Sequence, residues 1–301
     1  MSILDELASA TARVAAAAGG AVVRIGRAEG RGAGVVIGAG TVLTSAHNLR
    51  GDEVTVSFPD GRSITGTVKG VDADGDLGVV AVDTGAANPV TWAPGDTEVG
   101  PALGTPVFAL ALPAGASAAR VTFGTVSSVG RSFRGPRGRL ITDAVEHTAP
   151  LGRGSSGGPL LDTEGRLVGI NTHRTGDGLY LAVPATADLR ARADALGRGE
   201  APTRRRLGIA LAPPYVARRL RTAVGLPARD GVLVREVEDG GPAAAAGLQR
   251  GDLIVRAGGQ PVDSVDALLA AVDGVGSDGN LALGLVRGAD ELEVVVAFPA
   301  A

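Results

Sequence analysis

From Ala21 to about Val183 the chain never keeps one kind of residue for long. Gly, Asp and Pro cut it into twelve short, β-rich apolar runs at roughly ten-residue spacing. The runs are Val22–Ile25, Ala33–Ile37, Thr41–Thr44, Val54–Phe58, Ile64–Val71, Leu77–Val82, Val107–Leu112, Thr122–Val129, Leu140–Thr142, Leu160–Leu161, Leu167–Asn171 and Leu179–Val183. Such a rhythm leaves no room for long helices and predicts a barrel or sandwich. Only 3% of the residues are aromatic against 45% apolar, so the core has to be built from Ala, Val, Leu and Ile. The 47 glycines supply the turns.

The flanks read differently. Ile3 to Ala18 is predicted as a helix capped by Ser2, with Leu4, Leu7 and Val14 on one face, ended by Gly19-Gly20. After Pro184 a short helix is expected at Asp188–Leu196, then a polar stretch to Arg206 with Arg204, Arg205 and Arg206 in a row. A second domain follows, with strands at Gly231–Val237, Asp252–Ala257, Leu281–Val286 and Leu292–Phe298 and a helix at Ser264–Val272. The expected division is an N-terminal helix (1–20), a large β domain (21–186), a linker (187–206) and a smaller domain (207–301).

Several function classes are excluded or disfavoured. A net charge of −3 argues against general nucleic-acid binding. With no cysteine and three scattered histidines, neither a disulfide nor a zinc site is expected, and no other metal or cofactor. Asp72-Ala73-Asp74-Gly75-Asp76 is too short for an EF-hand calcium loop. The longest uncharged run, Val99 to Ala119, is broken by Pro101, Pro106 and Pro113, so no membrane span is expected. The N-terminus is acidic and does not read as a signal peptide, which leaves the cytoplasm open as a compartment.

The chemistry concentrates in Gly154-Ser155-Ser156-Gly157-Gly158-Pro159. Glycines around a serine let the backbone fold sharply, so that N–H groups converge on one spot able to hold an oxyanion. A plain Gly/Ser turn has the same composition. A serine nucleophile also needs a base and an orienting partner for that base. The bases available are His47, His147 and His173, and His47 follows the strand-like run Thr41–Ala46. Among the carboxylates, Asp76 abuts the apolar run Leu77–Val82 and is the one expected to be partly buried; Asp72 and Asp74 read as turn or surface residues.

In the order His…Asp…Ser, these stretches resemble the HtrA/DegP branch of the chymotrypsin-like serine proteases. The matching segments are Thr44-Ser45-Ala46-His47, Asp76-Leu77-Gly78-Val79-Val80 and Gly154–Leu160. Gly32–Ile37, Val126–Arg131, Thr142-Asp143-Ala144 and Gly169-Ile170-Asn171-Thr172 are similar to further family segments. Gly240–Ile254 and Gly259-Gln260-Pro261-Val262 resemble a PDZ domain. The resemblance implies a mostly β chain: a double β-barrel protease domain followed by a PDZ domain.

It also implies roles. Ser156 is the nucleophile, His47 the general base and Asp76 its orienting partner. The N–H groups of Gly154 and Ser156, with Ser155 as a third candidate, form the oxyanion hole, and Ile170, Asn171 and Thr172 border an S1 pocket for aliphatic residues. Leu207, Gly208, Ile209 and Ala210 line the PDZ groove, where a partner's C-terminal peptide adds as a strand. Substrates would be unfolded or damaged polypeptides, cleaved without ATP. A homotrimer is usual in the family, although no aromatic residue precedes Phe58 to carry it, and most relatives work outside the cytoplasm.

The chain departs from the family at Ser155, where Asn or Asp is usual, and over Glu146–Arg153, which looks longer. His147 and His173 are expected near the active site as solvent-exposed loop histidines, and Arg131, Arg134, Arg137 and Arg139 as an exposed loop. Two rivals stand beside the protease reading: a quiescent protease-like scaffold whose PDZ domain binds partners, and a chaperone-like holdase.

Overall fold

The computed structural model of the chain describes residues 2–27, 32–94, 101–135, 140–200, 205–275 and 279–298. Arg137, Arg139 and Arg204 lie outside them. The chain forms two compact units, Met1–Pro202 and Thr203–Ala301.

The first unit opens with α1 (Ile3–Ala18). Ser2 and Asp5 form a reciprocal capping box, satisfying two N–H groups at the helix start. The face that α1 buries is Ala10, Val14 and Ala18, while Leu4 is exposed. Of the expected face, Val14 is buried and Leu7 packs against the core, while Leu4 is corrected to exposed; the small side chains at 10, 14 and 18 let the helix lie close.

Twelve strands follow among the described residues: β1 (Val22–Ile25), β2 (Gly32–Gly38), β3 (Thr41–Thr44), β4 (Glu53–Ser57), β5 (Ser63–Asp72), β6 (Leu77–Ala81), β7 (Pro106–Ala111), β8 (Arg120–Arg134), β9 (Leu140–His147), β10 (Pro159–Leu161), β11 (Leu167–Gly176) and β12 (Leu179–Pro184). They close into two antiparallel barrels, β1-β2-β3-β6-β5-β4 and β10-β11-β12-β9-β8-β7. Closure removes the strand edges that short, apolar strands would otherwise expose. Val22, Val35, Leu43, Val56 and Val80 are buried in the first barrel, and Val107, Val145, Leu160 and Ala182 in the second. Arg131 and Arg134 lie in β8, not in a loop.

The stretch read as linker begins with α2 (Ala187–Gly197), capped by Thr186, whose Oγ1 accepts the Leu189 N–H at 3.3 Å. α2 buries Leu189, Ala193 and Leu196 and packs on β5 and β6, so it belongs to the first unit.

The second unit holds β13 (Ile209–Ala212), α3 (Pro214–Ala223), β14 (Val232–Val237), the single turn α4 (Pro242–Ala245), β15 (Leu253–Ala257), β16 (Gln260–Pro261), α5 (Val265–Asp273), β17 (Asn280–Arg287) and β18 (Asp290–Ala297). The strand order is β13-β14-β15-β17-β18, with β16 on β15. Its core joins Val232, Val234 and Ile254 to Leu268 and Val272 of α5. The helix α3 was not expected from the sequence; Pro214 at its first turn starts it.

Candidate active site

His47 lies in the short helical turn Ala46–Asn48 directly after β3. Asp76 closes the turn between β5 and β6, with φ of +52°, a left-handed conformation that Asp tolerates better than most residues. The two side chains meet: His47 Nδ1 is 2.9 Å from Asp76 Oδ1 and 3.0 Å from Oδ2. The His47 main-chain N–H also donates to Oδ1 at 3.2 Å, and Thr172 Oγ1 donates to Oδ2 at 2.6 Å. An ionised carboxylate only accepts, so the proton of neutral His47 sits on Nδ1, and Nε2 is left as the acceptor. Asp76 is 1% exposed, whereas a third of the His47 side chain (32%) is open to solvent. A buried carboxylate with three donors is a rigid holder, and the exposed ring edge is free to exchange a proton.

Ser156 comes from the other barrel, in the turn before β10. Gly157 there has φ of +86°, and a Cβ on it would stand 2.4 Å from the Ala33 carbonyl oxygen, so only glycine fits. The Ser156 carbonyl accepts from the Ala33 N–H (2.8 Å) and from Asn48 Nδ2 (2.9 Å), tying this turn to β2 and to the residue after His47. The Ser156 hydroxyl donates to the Thr172 carbonyl at 2.5 Å; among the described residues no hydrogen bond joins it to His47. Thr172 thus touches both halves of the site, its hydroxyl on Asp76 and its carbonyl on Ser156. The sequence named Thr172 only as a pocket border, and no local signal marks this second role.

The main-chain N–H groups of Gly154, Ser155 and Ser156 donate to no described residue, while Gly157 N–H goes to the Asn171 carbonyl at 2.6 Å and Gly158 N–H to the Ser155 carbonyl at 3.0 Å. Of the expected S1 border, Ile170 is buried in the main core, and Asn171 is buried with Nδ2 on the Pro159 carbonyl (3.0 Å) and Oδ1 facing His147 Nε2 (3.0 Å). Thr172 is half-buried.

His147 corrects an expectation. It ends β9, paired with Tyr180 of β12, and is fully buried rather than exposed. Its ring stacks on Tyr180, with centroids 5.9 Å apart. Since Asn171 presents its oxygen, His147 Nε2 carries the proton, and Nδ1 is buried with no partner among the described residues. Burial pushes its pKa down to about 4, against a smaller opposing effect of the Asn171 hydrogen bond. His173 is exposed in β11 and stacks on Phe133 at 5.7 Å. Asp72, read as turn or surface, is neither: it ends β5 and is buried.

In the second unit, β13 lies at the edge of the sheet, with β14 as its one neighbour among the described residues. Leu207 and Gly208 lead into it, their carbonyls held by the Ala243 and Glu238 N–H groups at 2.9 and 2.8 Å, and Ile209 and Ala210 begin it.

A double barrel with a histidine–carboxylate pair facing a serine turn, followed by a sheet with an open edge, defines a class: trypsin-like peptidase with PDZ domain. Residues 32–170 match the family described as Trypsin-like peptidase domain, and residues 233–287 match PDZ domain. The chain is 34% identical over 284 residues to "Putative serine protease HhoA" of Synechocystis sp., covering 90% of this chain and 71% of that protein. It is 32% identical over 272 residues to "Probable periplasmic serine endoprotease DegP-like" of Halomonas elongata, covering 88% of this chain and 55% of that protein. The chain therefore spans about half the length of that relative. The crystal structure of the serine endoprotease from Yersinia pestis superposes with a TM-score of 0.70 at 26% identity, over 97% of this chain and 98% of that one. "HtrA-type protease AlgW with decapeptide" shares the fold, with a TM-score of 0.73 at 23% identity over 97% and 98% of the two chains. The chain belongs to the HtrA/DegP family of trypsin-like serine proteases.

Proposed function

We propose that this chain is an ATP-independent serine endopeptidase that cleaves unfolded or damaged polypeptides, and that its PDZ domain binds C-terminal peptides of substrates or regulators. The observation that carries the reading is the convergence of His47, Asp76 and Ser156 through Thr172 and Asn48. In the reaction, Ser156 Oγ attacks the scissile carbonyl as its proton passes to His47 Nε2. Asp76 stabilises the imidazolium across Nδ1–H. The oxyanion takes hydrogen bonds from the Gly154 and Ser156 N–H groups, with Ser155 adjacent. His47 then gives its proton to the leaving amine, and a water, deprotonated by His47, releases the acyl group.

Before attack, the Ser156 hydroxyl has to leave the Thr172 carbonyl and turn to His47. That conformation supports a resting state that needs activation. It also favours a second reading, a quiescent scaffold whose PDZ domain does the work. The open edge of β13, beside Leu207 and Gly208, supports peptide addition as a strand. Relatives named periplasmic support work outside the cytoplasm. Among the described residues no helix is long and apolar enough to cross a membrane. Self-association belongs to the proposal too, since Ile3 and Leu4 stand exposed on α1; sedimentation measures it.

Labelling with a fluorophosphonate probe, with and without a hydrophobic C-terminal peptide and with Ser156→Ala as control, separates the readings. Labelling that vanishes in the variant supports the protease, and a rise with peptide supports PDZ-linked activation. Absence of labelling in both conditions, with peptide bound, supports the scaffold. Suppression of aggregation that survives Ser156→Ala supports the holdase.

A further inference from the structure

The turn that presents Asp76 is reached by a side chain from the far end of the first unit. Arg192 of α2 places Nη2 2.6 Å from Asp72 Oδ2, and Asp72 Oδ1 accepts the Gly75 N–H at 2.9 Å. The guanidinium lies so closely over Gly75 that a Cβ there would stand 1.9 Å from Arg192 Nη2 and 2.4 Å from Asp72 Oδ2. The next residue, Asp76, takes its left-handed conformation and turns its carboxylate to His47.

As a device for stability this arrangement is poor. The Asp72 side chain is 2% exposed and that of Arg192 26%, and Arg192 Nε is buried without a hydrogen-bond partner among the described residues. Burying the Asp72 carboxylate and the Arg192 Nε costs about as much as the attraction to the partly exposed guanidinium returns unless the remaining donors are also satisfied. Asp188, 3.4 Å from Arg192 Nη1, is itself largely exposed and adds little. What the pair does achieve is geometric. A non-glycine residue keeps a left-handed backbone where its surroundings over-determine it, and here Arg192, Asp72 and Gly75 make those surroundings.

We propose that Arg192 is a positioning residue for Asp76: by holding Asp72 and covering Gly75 it keeps the turn in the shape that aims the carboxylate at His47. The inference rests on the catalytic reading of His47, Asp76 and Ser156. Since α2 is the last element of the first unit, the chain's exit from that unit is fastened to the turn that carries the orienting carboxylate.

The test is Arg192→Met in the full chain, assayed on a chromogenic peptide in the wild-type and Asp76→Asn backgrounds. The expected result is a loss of about ten- to a hundredfold in kcat with KM unchanged. In the Asp76→Asn background the same change should cost less than about twofold, because no carboxylate is left to aim. The low-field proton resonance of His47 Nδ1–H should shift or broaden in Arg192→Met. Equal losses in both backgrounds, or an unchanged kcat, would overturn the proposal. Arg192→Met strands a buried carboxylate, so Asp72→Asn/Arg192→Met is the companion variant. It should keep a near-normal Tm and still lose kcat; full activity in that variant also overturns the proposal. Failure of wild-type labelling at Ser156 would instead refute the catalytic reading, and the His47 resonance would still decide the role of Arg192.

Discussion

His47 and His147 occupy comparable places in the two barrels, each at or just beyond the end of a strand, and their surroundings make them opposites. His47 has a buried carboxylate on Nδ1 and an exposed ring edge. His147 has a neutral amide on Nε2, an aromatic ring against its face, no partner on Nδ1 and no exposure. The first arrangement leaves a ring nitrogen open to solvent, and the second resists a proton. A histidine's chemistry is thus set by what faces its two nitrogens and by access to water, not by its proximity to a nucleophile. His147 lies one hydrogen bond from Asn171, the neighbour of Thr172, and among the described residues no hydrogen bond joins it to His47 or Ser156.

The sharpest way to break the comparison is to exchange the losses. His47→Ala should lower kcat on a peptide substrate by about 10⁶-fold while leaving Tm within a few degrees, as in other enzymes whose base is removed. His147→Gln, which keeps a donor for Asn171, should leave most of the activity; a comparable collapse would place His147 in the chemistry. Next in size, Asp76→Asn should cost about 10⁴-fold in kcat, because the amide favours the wrong His47 tautomer.

Stability against pH sharpens the other side. The folded pKa of His147 is about 4 and its ordinary value 6.5, so between these pH values the unfolded chain takes up a proton that the folded chain refuses. Its contribution is present above pH 6.5 and is lost as pH falls towards 4, by up to about 3 kcal/mol. Urea midpoints at pH 7, 5.5 and 4.5 should fall accordingly, and His147→Gln should flatten that fall. Equal slopes in the two proteins would show that His147 does not resist protonation. The smallest effect is expected for Thr172→Val, which removes one of the three donors to Asp76. About a tenfold loss of kcat is expected, the worth of one hydrogen bond to a charged group.

The parts of the site that could be read from the chain are those with a local physical cause. Gly154–Gly158 read as a tight turn, and Asp76 beside an apolar run read as partly buried; the structure buries it fully. Thr172 on Asp76 and Arg192 on Asp72 could not be read, since these pairs are 96 and 120 residues apart in sequence. Neither a threonine in a strand nor an arginine on a helix carries a mark of its partner. His147 was misread for a related reason: a histidine after Glu146 and before Thr148 looks polar and looped, yet β9 continues to it and turns its ring inward.

By itself the sequence determined the β-rich first unit and the aliphatic core, because turn formation and apolar alternation are local properties of the chain; the resemblance to a known family then pointed to His47, Asp76 and Ser156. Tertiary structure alone decided that two barrels close, that the Ser156 hydroxyl rests on Thr172 instead of His47, and that one histidine is open while the other is sealed. Those outcomes depend on which distant side chains exclude water from each other, and that is settled only when the barrels pack.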